Sequence, residues 1–191
     1  GLAFKISAVP FHMWAPDVYQ GSPTSVTIFF AILPKIAALT VFIRFLYVPF
    51  VNLIDQWQMI MIFLSIASML FGAVAAIGQK NLKRLIAYSS IGHMGYALAG
   101  LSVGTNQGIQ SSVIYLSIYL FMNLAFFSCL FMLRKNDNYY ENIEDLSGLS
   151  KKHPILSLCF LIVLFSLAGI PPLAGFFAKF YIFLAVIEKS M

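Results

Sequence analysis

Carboxylates are scarce in this chain, and none lies within its apolar stretches. All seven acidic residues (Asp17, Asp55, Asp137, Glu141, Glu144, Asp145 and Glu188) fall in polar connections or at the chain end. Charge of either sign is low, at 10% of residues, while 60% are hydrophobic. A soluble domain of this size needs more polar surface, so the composition excludes one and indicates an all-α polytopic membrane protein. Cysteine is nearly absent. Cys129 and Cys159 both sit in apolar helical segments and give neither disulfide nor metal-ligand spacing. There is no C-x-x-C, G-x-G-x-x-G, P-loop or haem-type histidine pair, so no electron-transfer, nucleotide or nucleic-acid chemistry is expected on the chain itself.

What is present is a series of spans. Residues 1–14 read as the end of a helix interrupted by Pro10, followed by the polar stretch 15–23. Further spans are expected at 24–50, 57–77, 81–103 and 108–133, then a polar connection at 134–152 of loop or surface-helix character. The segment 154–188 is too long for one straight crossing and holds Gly169-Ile170-Pro171-Pro172-Leu173-Ala174-Gly175 near its midpoint. Two prolines flanked by glycines break a helix, so 154–188 reads as a discontinuous one, the second after 1–14. The chain opens on Gly1 inside an apolar run and is expected to be a piece of a longer polypeptide or one product of a split gene. Counting spans puts Lys80, Lys83 and Arg84 on the same side as Arg134, Lys135, Lys151 and Lys152. The opposite connections carry only Asp55, so the basic side is expected to face the cytoplasm or mitochondrial matrix.

Three lysines interrupt the apolar runs: Lys5, Lys35 and Lys179. An ammonium at bilayer depth costs at least about 2.5 kcal/mol on insertion scales and usually faces a bundle interior or a wet path. Lysines in such surroundings exchange protons readily, so three on one chain suggest a proton route. Lys35 lies at the centre of its span beside Pro34, whose missing N–H frees the carbonyl of Phe30. Lys5 precedes His12 by two helical turns, so the two share a face if the helix persists. Lys179 follows the double-proline break, a setting in which half-helix ends stabilise ions.

His93 lies mid-span with Ser89 and Tyr96 on one face, as packing group or relay. Tyr115, Tyr119 and Asn123 form a stripe suited to interhelical hydrogen bonds or to a water-lined wall. Arg44 and Lys189 read as interfacial anchors. With no acid at their depth, the lysines are expected to find a carboxylate outside this stretch of chain.

The blocks FKISAVPFHMWAPDVYQGSPTSVT, KNLKRLIAYSSIGHMGY and DLSGLSKKHPILSL…SLAGIPPLAGFFAKFY resemble the antiporter-like membrane subunits of NADH:ubiquinone oxidoreductase, respiratory complex I. These are related to the subunits of multi-subunit Na+/H+ antiporters. AKFY around Lys179 favours the N-type branch, subunit 2 of mitochondria. The resemblance implies an antiporter-like helix bundle, represented here from its seventh helix to its twelfth. It matches Lys5, Lys35 and Lys179 to the family's proton-pathway lysines and His12 to the histidine of its VPFH motif. It also implies that NADH, FMN, iron–sulfur clusters and ubiquinone belong to other subunits of the assembly, with no cofactor or metal on this chain. Implied partners are neighbouring membrane-arm subunits, lipids and a second polypeptide supplying the remaining helices. The implied location is the mitochondrial inner membrane or the bacterial plasma membrane.

Overall fold

Long apolar runs set the length of the principal helices. The computed structural model describes residues 1–135 and 138–189, so Asp137 among the loop acids lies outside the described residues. Three long helices are α3 (Thr24–Tyr47), α4 (Ile54–Ile77), entered through a 3₁₀ turn at Val51–Leu53, and α6 (Asn106–Met132). Among the described residues these three are long and apolar enough to cross a membrane. At 1.5 Å per residue each exceeds the ~30 Å hydrocarbon core.

A fourth long helix, α5 (Leu82–Ser102), is more polar. Fourteen of its 21 residues are buried, against six of 24 in α4. It packs against helices on several sides, which explains its composition: a helix shielded from lipid need not be apolar, and small residues let its neighbours close in. Gly72 of α4 meets Gly92 of α5 so closely that a Cβ on Gly72 would lie 2.6 Å from the Gly92 nitrogen. The Asn81 side chain starts α5 by accepting from the amides of Lys83 and Arg84.

Both discontinuities are present. The segment 154–188 is two helices, α8 (Pro154–Ala168) and α9 (Ala174–Glu188), separated by residues 169–173. Gly169, at φ +87°, ends α8 in the left-handed conformation that glycine adopts without a Cβ penalty. The first break is more abrupt than expected. Helix α1 covers only Leu2–Lys5, and the chain then turns through Ser7 at φ +60° and Pro10. The stretch read as a polar connection instead contains α2 (Trp14–Gly21). Its first turn tolerates Pro16, because amides there have no helical acceptor, and Asp17 suits the positive end of the helix.

The basic connections meet at one end of the bundle. The Leu82 amide donates to the Glu141 carbonyl at 2.8 Å, and the Ile143 amide to that of Lys80 at 2.9 Å. Lys83 pairs with Glu141 at 3.2 Å and Arg84 with Asp17 at 3.0 Å. Between α6 and α8 the connection comprises a minimal antiparallel pair, β1 (Arg134–Lys135) and β2 (Asn138–Tyr139), a 3₁₀ turn at Ile143–Leu146 and α7 (Leu149–Lys152). At the opposite end Tyr47 donates to the Leu101 carbonyl at 2.7 Å, and Lys189 to that of Val103. The basic loop residues thus gather at one end, and the opposite end carries Arg44, Asp55, Glu188 and Lys189, charges of both signs.

Candidate functional site

Lys35 is completely buried at the middle of α3. Its Nζ donates to Ser90 Oγ on α5 at 2.6 Å and lies 5.4 Å from the centre of the Tyr19 ring. Ser90 in turn donates to the carbonyl of Ala87 at 2.9 Å. The two ion pairs found among the described residues, Lys83–Glu141 and Arg84–Asp17, both sit at the basic end. Lys35 therefore has a hydroxyl and an aromatic face for company. A buried ammonium so weakly compensated is costly.

Helix α5 continues from Ser90 to His93 and Tyr96, three residues apart each time and so along one face. His93 is buried; its Nδ1 lies 2.5 Å from Tyr115 Oη, and its ring centre 5.3 Å from that of Tyr119. Tyr96 presents its ring to Lys179, whose Nζ is 4.9 Å from the ring centre. Lys179 donates to the Ala168 carbonyl at 2.8 Å and to that of Leu167 at 3.4 Å. These are the last carbonyls of α8, left without helical donors and carrying the negative end of its dipole. The broken helix thus supplies Lys179 with partly negative carbonyl oxygens, and no ion pair to it is found among the described residues. A cleft of about 320 Å³ between α4, α5 and α8–α9 is lined by Met69, Gly72, Ser89, His93, Tyr96 and Lys179.

The break itself is tied by Ser166. Its Oγ accepts from the Gly175 amide at 3.2 Å and contacts Met122 Sδ at 3.1 Å. A Cβ at Gly175 would run into the Ser166 carbonyl, so glycine lets α9 close on α8.

Of the residues singled out in the sequence, the fold gathers Lys35, His93 and Lys179 along α5. Lys5 is separate: it is exposed at the end of α1, and its ammonium makes no hydrogen bond among the described residues. It does not share a helix face with His12, because the helix stops at Lys5 and the chain turns before α2. His12 instead packs its ring 4.2 Å from that of Phe71 on α4, with Nδ1 buried and unpartnered among the described residues. Ser89 lines the cleft together with His93 and Tyr96, the face on which spacing grouped them, whereas its neighbour Ser90, not singled out in the sequence, binds Lys35. In the tyrosine stripe, Tyr115 reaches His93, while Asn123 bonds back to the Tyr119 carbonyl of its own helix at 2.8 Å. Tyr19 and Ser166 carried no signal in the sequence, since each takes its role from a segment distant along the chain. Lys189 is tied to Val103 at the end of the bundle opposite the basic loops, as an anchor would be, and Arg44 occupies the last turn of α3.

Comparison with known proteins follows the same lines. Residues 1–191 match the family model for NADH:quinone oxidoreductase/Mrp antiporter transmembrane proteins. The chain is 83% identical to NADH-quinone oxidoreductase subunit N of Pelagibacter ubique and 56% identical to that of Rhodospirillum rubrum, over all of its 191 residues. It spans about two fifths of these relatives, 41% and 39% of their lengths. Among solved structures it superposes on a chain of respiratory complex I from Thermus thermophilus with TM-score 0.84, 38% identity and coverage of 100% of this chain and 41% of that one. It also superposes on a chain of the Mrp complex from Dietzia, with TM-score 0.91, 27% identity and coverage of 99% and 35%.

Proposed function

Because the chain belongs to the NADH:quinone oxidoreductase/Mrp antiporter transmembrane family, we propose that it forms the middle-to-late part of a proton-translocating, N-type membrane subunit of a bacterial NADH:quinone oxidoreductase. It is a multi-pass membrane protein, and its named relatives are bacterial, which favours the plasma membrane over the mitochondrial inner membrane. In this role electrons pass from NADH through FMN and iron–sulfur clusters to quinone on other subunits. The present chain contributes the path for protons, and the other membrane-arm subunits are its partners.

The observation that carries the proposal is the arrangement along α5: buried Lys35 at Ser90, His93 one turn on, and Lys179 at Tyr96, with no carboxylate among them. Three protonatable groups meeting along α5 offer a proton successive stations through the bundle. Lys179 would hold its proton against the α8 carbonyls and release it when the break opens. Lys5 and His12 enter as the loading end of the path, joined by helices from the rest of the polypeptide or a partner chain.

The Mrp-type reading, proton exchange for sodium without a redox partner, is favoured by the TM-score of 0.91 but opposed by the far higher identity to subunit N. Co-purification with quinone-reductase subunits separates the two. A third alternative is a membrane scaffold that pumps nothing. The decisive experiment is Lys35→Met in the whole subunit within its assembled complex. In inverted vesicles, translocation through this subunit falls by on the order of tenfold or more, the scale of a lost proton-transfer group. Unchanged translocation per NADH oxidised sinks the relay and leaves the scaffold.

A further inference from the structure

Arg44, in the last turn of α3, is exposed, and its guanidinium makes no hydrogen bond or ion pair among the described residues. Asp55, at the same end, lies in the first turn of α4 and is not paired with it. A cleft of about 370 Å³ runs from Arg44 between α3 and α6. One wall is the face of α3 that carries Ile36, Thr40, Ile43 and Arg44, and the other is the face of α6 from Ile109 to Leu120. Helix α3 stops, and α6 starts, at the end opposite the basic loops.

The depth of the cleft is informative. Lys35 stands at the middle of α3 and Tyr119 at the middle of α6. Arg44 lies nine residues beyond Lys35, about 13 Å at 1.5 Å per residue, and Ile109 lies ten residues before Tyr119, about 15 Å. The cleft therefore runs from the bilayer centre to the interface, the thickness of one leaflet in a hydrocarbon core of ~30 Å. Its polar groups are sorted the same way. Within it, Thr40 Oγ1 donates to the Ile36 carbonyl at 2.9 Å and Ser117 Oγ to that of Val113 at 2.9 Å, so the walls require no polar partner from an occupant. The unmet demand is at the mouth, where Arg44 presents a planar fork of N–H donors that matches a phosphate.

We propose that this cleft binds an anionic phospholipid, with an acyl chain laid between α3 and α6 and the phosphate held by Arg44. A spanning helix from the rest of the polypeptide fits less well. It needs a groove through both leaflets and leaves the guanidinium without an anion. Net negative charge on the headgroup is favoured because no carboxylate among the described residues neutralises Arg44. The bound chain fills the gap between α3 and α6 and so braces the helix that carries Lys35.

The proposal needs only that α3 and α6 span the bilayer, so it stands or falls apart from the proton relay. Its test uses the whole subunit in its assembled complex, in nanodiscs of phosphatidylcholine mixed with acyl-brominated phosphatidylglycerol. A density map is expected to show bromine signal along the cleft and a phosphate at Arg44. Arg44→Gln, at an exposed position, raises the phosphatidylglycerol fraction needed for half occupancy by about tenfold or more, the scale of one lost hydrogen bond to a charged group. Ser117→Phe fills the cleft while keeping Arg44, and it abolishes the signal. Arg44→Lys retains part of it, as a point charge without the fork. Equal occupancy when the bromine is carried by phosphatidylcholine alone, or an unchanged requirement in Arg44→Gln, reduces Arg44 to an anchor among bulk lipids and overturns the site. A protein helix lying in the cleft overturns it as well.

Discussion

Lys179 and Ala168 meet across a break in the backbone: the lysine Nζ lies 2.8 Å from the alanine carbonyl oxygen, although they belong to different helices. The contact exists because α8 stops at Gly169 and α9 folds back within reach, so the end of one half-helix faces the charge on the other. The break and the charge explain one another. A continuous helix would have satisfied the Ala168 carbonyl internally and left the ammonium with nothing to bond.

Lys179→Met is therefore expected to do two separable things. It removes charge-assisted hydrogen bonds worth about 1.5–3 kcal/mol before solvent screening, and Lys179 is partly exposed in this chain, so the stability loss falls at or below the low end. It also removes a proton-carrying group, so translocation through this subunit falls roughly tenfold or more. Lys179→Arg keeps the hydrogen bonds but holds its proton permanently. Stability near that of the native protein with pumping still lost, measured by thermal inactivation and vesicle acidification, separates anchoring from relay.

Gly175→Ala is expected to be the most damaging conservative change in the chain. Its Cβ collides with the Ser166 carbonyl, which is backbone and cannot swing away. The halves α8 and α9 must then separate, taking Lys179 from its carbonyls. Ser166→Ala is milder: it leaves the buried Gly175 amide without an acceptor, at about 1–3 kcal/mol. The yield of assembled complex should fall in the order native, Ser166→Ala, Gly175→Ala. Equal yields for native and Gly175→Ala contradict the close approach.

Lys83 ties the basic end together, bonding both Glu141 at 3.2 Å and the Ser22 carbonyl at 3.1 Å. Its side chain is buried while that of Glu141 is half-exposed, at 6% and 52%. The pair is thus partly screened and worth about 1 kcal/mol or less. Glu141→Gln should barely change assembly yet loosen the connection between α6 and α8. Protease nicking of that connection should rise a few-fold, less so at high salt, where the native pair is itself weakened.

Much of this was legible in the sequence. The apolar runs located α3, α4 and α6, and the double proline located the break between α8 and α9, because length and backbone chemistry are local properties. Loop charge foretold which connections share an end, and Lys83–Glu141 shows them touching. What escaped were contacts made by segments distant in sequence. Ser89 and Ser90 point to different faces of α5, and only the position of α3 decides which face meets Lys35. A carboxylate was expected for Lys179 from outside this stretch of chain, yet the half-helix end that the double-proline break announced already gives it hydrogen-bond acceptors. The helix α2 was missed because 15–23 read as a polar connection, although Pro16 and Asp17 both suit a first helical turn.

The pairing of His93 with Tyr115 yields the last prediction. His93 Nδ1 and Tyr115 Oη are 2.5 Å apart in a buried setting, which fixes the ring and leaves Nε2 as the free nitrogen. Tyr115→Phe keeps the aromatic packing but deprives Nδ1 of its partner, so the ring loses one determinant of its orientation and tautomer. The cost in stability should be modest, about 1–3 kcal/mol for an unmatched buried polar atom. Translocation should fall several-fold at unchanged assembly, because a ring that turns over presents the wrong nitrogen part of the time. His93→Gln should lose translocation more completely, since an amide does not take up a proton. Measured together at equal complex content, a Tyr115→Phe defect smaller than that of His93→Gln fits a positioning tyrosine and a proton-carrying histidine. Native-like pumping by His93→Gln reduces both residues to packing.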